Sequence, residues 1–223
     1  MSIYLPDHDT YFMHIPKTGG TWRDDVLKHL QLKCVPYTVE KASVQHALLE
    51  QLRSRPKHVF TFVRHPITWY ESWWSFQCDH KWLKWEKAPG YWHPLRSLDI
   101  CEDYAFNAFV AKCIKYEPAF VTRMYEWYIG PPGVCRVDRV GLFENLRSHF
   151  ADMLSQVGIT FDPAVMMEYK PVRTATLRKG RPTWDAALYA KILELEAPAI
   201  RRFYPNPVMG GCNGREDESC PAG

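Results

Sequence analysis

The sequence predicts an α/β protein with a mostly parallel central sheet flanked by helices. Three observations carry that expectation: four short apolar runs rich in Val and Phe, helical patterns between them, and a length of 223 residues that suits one such domain. The runs are Tyr11–Ile15, Lys33–Tyr37, His58–Val63 and Asp138–Phe143. Short buried strands alternating with helices are the pattern of βαβ units.

Helices are expected over Thr21–Leu32, Ser43–Arg53, Thr68–Phe76, Glu102–Lys115, Glu144–Val157 and Thr183–Phe203. In the last, Leu188, Ile192, Leu195 and Ile200 recur close to the helical period, and Pro205 and Pro207 stop the run. The domain is expected to span residues 1–207, with residues 208–223 a flexible tail of polar and small residues. No repeat or low-complexity tract interrupts it.

Composition excludes several classes. Net charge is +3, too small by itself to predict a nucleic-acid partner. No apolar run is long enough to span a membrane, and the N-terminus lacks the form of a signal peptide. Seven scattered cysteines suit a reducing compartment, so a cytoplasmic protein is expected. Cys78, His80, His93 and Cys101 are potential zinc ligands by type, but their spacing fits no common finger or ribbon, and no metal is expected.

The informative stretch is "YFMHIPKTGGTW", residues 11–22, where an apolar run meets a Pro-Lys-Thr-Gly-Gly-Thr turn before a helix. A strand-loop-helix junction presents backbone N–H groups and the positive end of a helix dipole to an anion. Glycines allow close backbone approach, and a lysine adds a mobile charge. Lys17 precedes Gly19 and Gly20, the reverse of the order in the GxxxxGK[ST] phosphate loop. The plain alternative is a tight turn with a solvated lysine. A second junction, "FTFVRHPITWYESWW", leaves Arg64 at the end of a strand, where ligands of open α/β sheets bind, and Ser72 in the following helix. An arginine fork and a serine hydroxyl suit a phosphate.

"HIPKTGGTW" followed by "FVRHPITWYES" resembles the two nucleotide-binding signatures of sulfotransferases that use 3′-phosphoadenosine 5′-phosphosulfate (PAPS), most closely the carbohydrate-type branch. The resemblance implies a three-layer fold of the P-loop type. It also implies a 5′-phosphosulfate loop made by Lys17, Thr18, Gly19, Gly20, Thr21 and Trp22, and a 3′-phosphate site made by Arg64 and Ser72. "GLFENL" (Gly141–Leu146) is a weaker echo. "LRKG" (Leu177–Gly180) is similar to the loop that closes over the nucleotide in cytosolic members, which implies contacts from Arg178 and Lys179. With the lysine so early in the chain, a soluble enzyme without a membrane anchor is expected.

Sulfuryl transfer, like phosphoryl transfer, is a loose in-line displacement governed by positioning and electrostatics. Lys17 is the candidate for stabilising charge on the departing 5′-phosphate, and the product would be adenosine 3′,5′-bisphosphate. A hydroxyl acceptor, small molecule or glycan, needs a general base. His46 is the candidate because carbohydrate-type relatives often carry a histidine ahead of the arginine strand; Glu40 is the alternative, and a histidine on a helix surface is the plain reading. His14, beside the loop, is expected to pack or orient it. Residues 69–95 hold six of the nine tryptophans. Trp73 and Trp74 read as core, whereas Trp82, Trp85, Tyr91 and Trp92, mixed with lysines, read as a lid over an acceptor. Two other classes stay open: an ATP-dependent small-molecule kinase, and a protein that holds a nucleotide without turnover.

Overall fold

The computed structural model describes residues 1–36, 38–39, 42–43, 46–52, 54–82, 93–168 and 182–205. Its main sheet contains β1 (Ile3–Leu5), β2 (Thr10–Phe12), β3 (Val35–Pro36), β6 (His58–Val63) and β7 (Arg139–Leu142), with the spatial order β3-β1-β2-β6-β7. β4 (Thr38–Val39) and β5 (Ala42–Ser43) form a separate antiparallel pair. The helices are α1 (Gly20–His29), α2 (Pro66–Asp79), α3 (Phe106–Tyr116), α4 (Phe120–Ile129), α5 (Leu146–Gln156), α6 (Pro163–Glu168), α7 (Ala186–Leu195) and α8 (Ala197–Phe203).

The sheet is open and mixed, and its centre is parallel. Tyr11 lies opposite Val59, and Thr61 opposite Val140, in parallel register. β1 pairs antiparallel with both β2 and β3 at one edge. Side chains alternate across the central strands and so build two cores. Tyr11, Val59 and Val63 face α2, α3, α4 and α8, whereas Phe12, Phe60 and Phe62 face α1, α5 and α6. Burial on both faces explains why "HVFTFV" reads as one apolar run rather than an alternating one.

Several expectations shift at their edges, two fail, and two elements went unpredicted. β2 ends at Phe12 rather than Ile15, although the Met13 N–H still reaches the Phe60 carbonyl at 2.9 Å. β1 went unpredicted because Pro6 leaves only three strand residues before it. Among the described residues of the expected helix Ser43–Arg53 there is no α-helix: Ser43 belongs to β5, and a 3₁₀ turn, Leu49–Gln51, is the one helical element. Tertiary anchoring outweighs local propensity there, because His46 and Ala47 turn inward to be buried. The helix expected over Thr183–Phe203 is two helices, broken where the Glu196 side chain turns into the core ahead of Pro198. Finally, α4 was missed altogether. The expected tail, 208–223, lies outside the described residues.

Candidate functional site

The lysine loop joins β2 to α1 and is tied down on several sides. The Trp69 indole N–H donates to the Pro16 carbonyl at 3.0 Å, and the Thr18 hydroxyl donates to the Ile15 carbonyl at 2.7 Å. Lys17 sits at φ 66°, in the left-handed region that non-glycine residues seldom adopt. The two glycines have different jobs. Gly19 adopts φ 91° as the N-cap of α1. Gly20 is small because of packing: a Cβ there would stand 2.3 Å from the His14 ring. Gly19 offers α1 no side-chain cap, so the first-turn N–H groups of Gly20 and Thr21 project off the helix end. The Trp22 side chain is not part of the loop; it packs edge-on against Phe150 in the second core.

Arg64 comes off the end of β6 and folds over the loop. Its guanidinium donates to the Lys17 carbonyl at 3.4 Å and to the Thr68 hydroxyl at 3.1 Å, and it lies 4.2 Å from the centre of the Phe143 ring. The Lys17 ammonium reaches the other way and sits 4.0 Å from the centre of the Phe76 ring. Thr68, Ser72 and Phe76 are successive fours on α2 and form one stripe. Thr68 holds Arg64 and Phe76 holds Lys17, so the stripe carries a cation at each end, its end residues rising about 12 Å along the helix axis. Ser72, nearly buried, lies between them.

The electrostatics of this arrangement are unusual. Burial pushes the Lys17 ammonium down to about 7, and the Arg64 charge pushes in the same direction. Burial also lowers Arg64, though a guanidinium stays charged at any ordinary pH. Among the described residues no carboxylate forms an ion pair with either cation; the ion pairs fall elsewhere, as at Arg139–Asp152 and Arg123–Glu117. Asp79 opposes the fall of Lys17, and Glu144 and Glu71 oppose that of Arg64, but none closes an ion pair, and two desolvated cations without one are a poor structural element. They are a good receptor for an anion.

His46 is not a surface helix residue. It sits in a turn, nearly buried, with Nδ1 3.2 Å from the His14 carbonyl three residues ahead of Lys17. Facing a carbonyl, Nδ1 must carry the proton, which leaves Nε2 as the basic nitrogen. Burial lowers the His46 imidazole to about 4, so it is neutral at pH 7. Its ring stacks on His14 at 4.9 Å and meets His93 edge-on at 5.1 Å. The Tyr128 hydroxyl donates to the His46 carbonyl at 3.1 Å. His14 packs between Gly20 and His46, and so orients the loop.

Glu40, Arg178 and Lys179 lie outside the described residues, as do Trp85, Tyr91 and Trp92. Trp82 leaves the expected lid: it is buried against Phe109. Cys101 is also buried in the core, and no group of three or more His, Cys, Asp or Glu among the described residues is placed to hold a metal ion. No helix among them is long and apolar enough to cross a membrane. Thr68, Phe76, Tyr125 and Phe143 were missed as site residues. Of these, Thr68 lay inside "FVRHPITWYES" and Phe143 inside "GLFENL"; Phe76 and Tyr125 had no signal.

No protein-family model, curated protein or solved structure matches this chain.

Proposed function

We propose that the chain is a sulfotransferase that moves the sulfuryl group of PAPS to a hydroxyl of a small-molecule or glycan acceptor, with carbohydrate the favoured class. One observation carries the reading: the Lys17 loop and Arg64 meet along one stripe of α2, two desolvated cations with no carboxylate paired to them among the described residues. The three-layer P-loop-type fold belongs to the same proposal, and the parallel centre with helices on both faces supports it.

In this reading the Gly20 and Thr21 N–H groups and the Lys17 ammonium hold the 5′-phosphosulfate end, while Arg64 and Ser72 hold the 3′-phosphate. As the acceptor oxygen bonds to sulfur, the bond from sulfur to the bridging oxygen breaks and its electron pair stays on the 5′-phosphate. Lys17 neutralises that charge as it grows, so it acts on the transition state more than on the ground state. The acceptor proton passes to Nε2 of His46, the nitrogen left basic by the His14 carbonyl, with Glu40 the alternative base.

Titration calorimetry with adenosine 3′,5′-bisphosphate and with ATP tests the donor, and labelled PAPS with a panel of sugars, glycolipids, phenols and steroids tests turnover. Preference for the bisphosphate together with sulfated product supports the reading. Magnesium-dependent ATP binding would replace it with a kinase, and nucleotide binding without product would leave a binding protein.

A further inference from the structure

The end of β6 is held by side chains rather than by backbone alone. The Arg64 N–H donates to the Tyr125 hydroxyl at 2.9 Å, and that hydroxyl in turn donates to the Arg64 carbonyl at 2.5 Å. The next N–H, of His65, donates to Glu144 Oε1 at 2.9 Å. The other carboxylate oxygen accepts from the Tyr204 hydroxyl at 2.8 Å, and the Tyr204 ring meets the His65 ring edge-on at 5.1 Å. Three polar groups of the Arg64–His65 backbone are thus satisfied by α4 and by the turn after β7, two elements remote in sequence. Burial keeps the Tyr125 phenol protonated, so it remains a donor. Phe143, next to Glu144, carries the guanidinium on its ring.

Glu144 forms no ion pair with the guanidinium; its carboxylate is occupied with the backbone and with Tyr204. From there its charge still favours the charged guanidinium across a distance, so the carboxylate fixes where the arginine starts without closing an ion pair on it. We propose that Tyr125 and Glu144 are positioning residues, a two-point clamp on the Arg64–His65 backbone that aims the Arg64 guanidinium at the 3′-phosphate. The proposal rests on the sulfotransferase reading, because that reading gives Arg64 its ligand.

A clamp on Arg64 has a signature that loss of general stability lacks: it concerns one phosphate. Affinities of wild type, Tyr125→Phe, Glu144→Ala and Glu144→Gln are measured for adenosine 3′,5′-bisphosphate and for adenosine 5′-monophosphate, which lacks the 3′-phosphate. Tyr125→Phe and Glu144→Ala are expected to weaken the bisphosphate tenfold or more and the monophosphate less than twofold. Glu144→Gln, whose amide oxygen still accepts from His65, is expected to stay within threefold of wild type. In an Arg64→Ala background the clamp substitutions are expected to have no further effect on the bisphosphate. Equal losses for both nucleotides, or additive losses with Arg64→Ala, would overturn the clamp while leaving the donor reading intact. Wild type that binds neither nucleotide would overturn both. Should Glu144→Ala fail to fold, Tyr125→Phe keeps its ring in place and decides alone.

Discussion

Lys17 ties anion binding to a proton. With its ammonium lowered to about 7, half of the free protein carries the charge at pH 7. An anion seated beside it favours the charged form, so binding draws a proton from solution. If the bound form stays charged past pH 9, the charged fraction of the free protein falls from about one half at pH 7 to about one hundredth at pH 9, and affinity for adenosine 3′,5′-bisphosphate falls about 50-fold. Calorimetry in two buffers of different ionisation enthalpy should find about half a proton taken up per ligand at pH 7 and nearly one at pH 9. Lys17→Arg, charged throughout, should flatten both curves. The free protein should behave oppositely. The folded value lies below the ordinary 10.5, so the unfolded chain binds more protons between about pH 7 and 10.5, and stability rises with pH across that window. Flat affinity to pH 9 with no proton uptake would refute the reasoning, because it would mean that Lys17 is either fully charged before binding or remote from the ligand.

Three further outcomes follow from the same geometry. Gly20→Ala should destabilise the loop and weaken nucleotide binding, because the new methyl stands 2.3 Å from the His14 ring; His14→Ala should restore part of both losses, and no rescue would contradict the packing role. In kcat/KM against pH, His46 as base predicts an acid limb near 4 and Lys17 an alkaline limb near 7. His46→Ala should remove the acid limb and cut turnover about 10²–10⁴-fold with nucleotide affinity little changed; full turnover in His46→Ala with loss in Glu40→Ala would transfer the role to Glu40. Glu196 is fully buried and accepts from the Tyr70 hydroxyl, the Val121 and Thr122 N–H groups and the Thr122 hydroxyl, capping α4 where Ala119 has no side chain to do so. Unsatisfied buried donors cost about 1–3 kcal/mol each, so Glu196→Ala should cost on the order of 4 kcal/mol in urea unfolding, and a loss under about 1 kcal/mol would refute the cap.

How much of this was legible in the sequence depends on how local each feature is. β6 and α2 read clearly, because a run buried on both faces and a proline at a helix start are local signals. Lys17 and Arg64 stood out for the same reason, each placed at a strand end beside a turn. Thr68 and Phe76 did not, since a threonine and a phenylalanine gain meaning only once α2 sets them one and three turns from Arg64. Tyr125 was further out of reach: it comes from a helix that the pattern did not predict, and its partner is a backbone group. The segment 43–53 misled because "VQHALLEQL" has helix-forming residues, whereas the burial of His46 that overrides them is a tertiary fact.

The site also explains an apparent excess of anchoring around so short a loop. Lys17 is held in a left-handed conformation, its ammonium is largely removed from water, and the charge that acts on it most strongly is another cation, opposed more weakly by Asp79. Each of these favours a loop that swings out into solvent. What opposes that is a set of bonds made to the loop backbone and not to its charges: Trp69 on Pro16, Thr18 on Ile15, Arg64 on Lys17 and His46 on His14. A scaffold that spends its hydrogen bonds on the main chain leaves both cations without an ion-pair partner among the described residues, ready for whatever anion enters. On this argument an anion that spans both cations should raise the melting temperature more than one with the same number of phosphates that reaches only one. Comparing adenosine 3′,5′-bisphosphate with adenosine 5′-diphosphate, matched in phosphate number but not in placement, isolates that difference. Equal shifts would mean that the two cations act as one diffuse field and not as two separate phosphate readers.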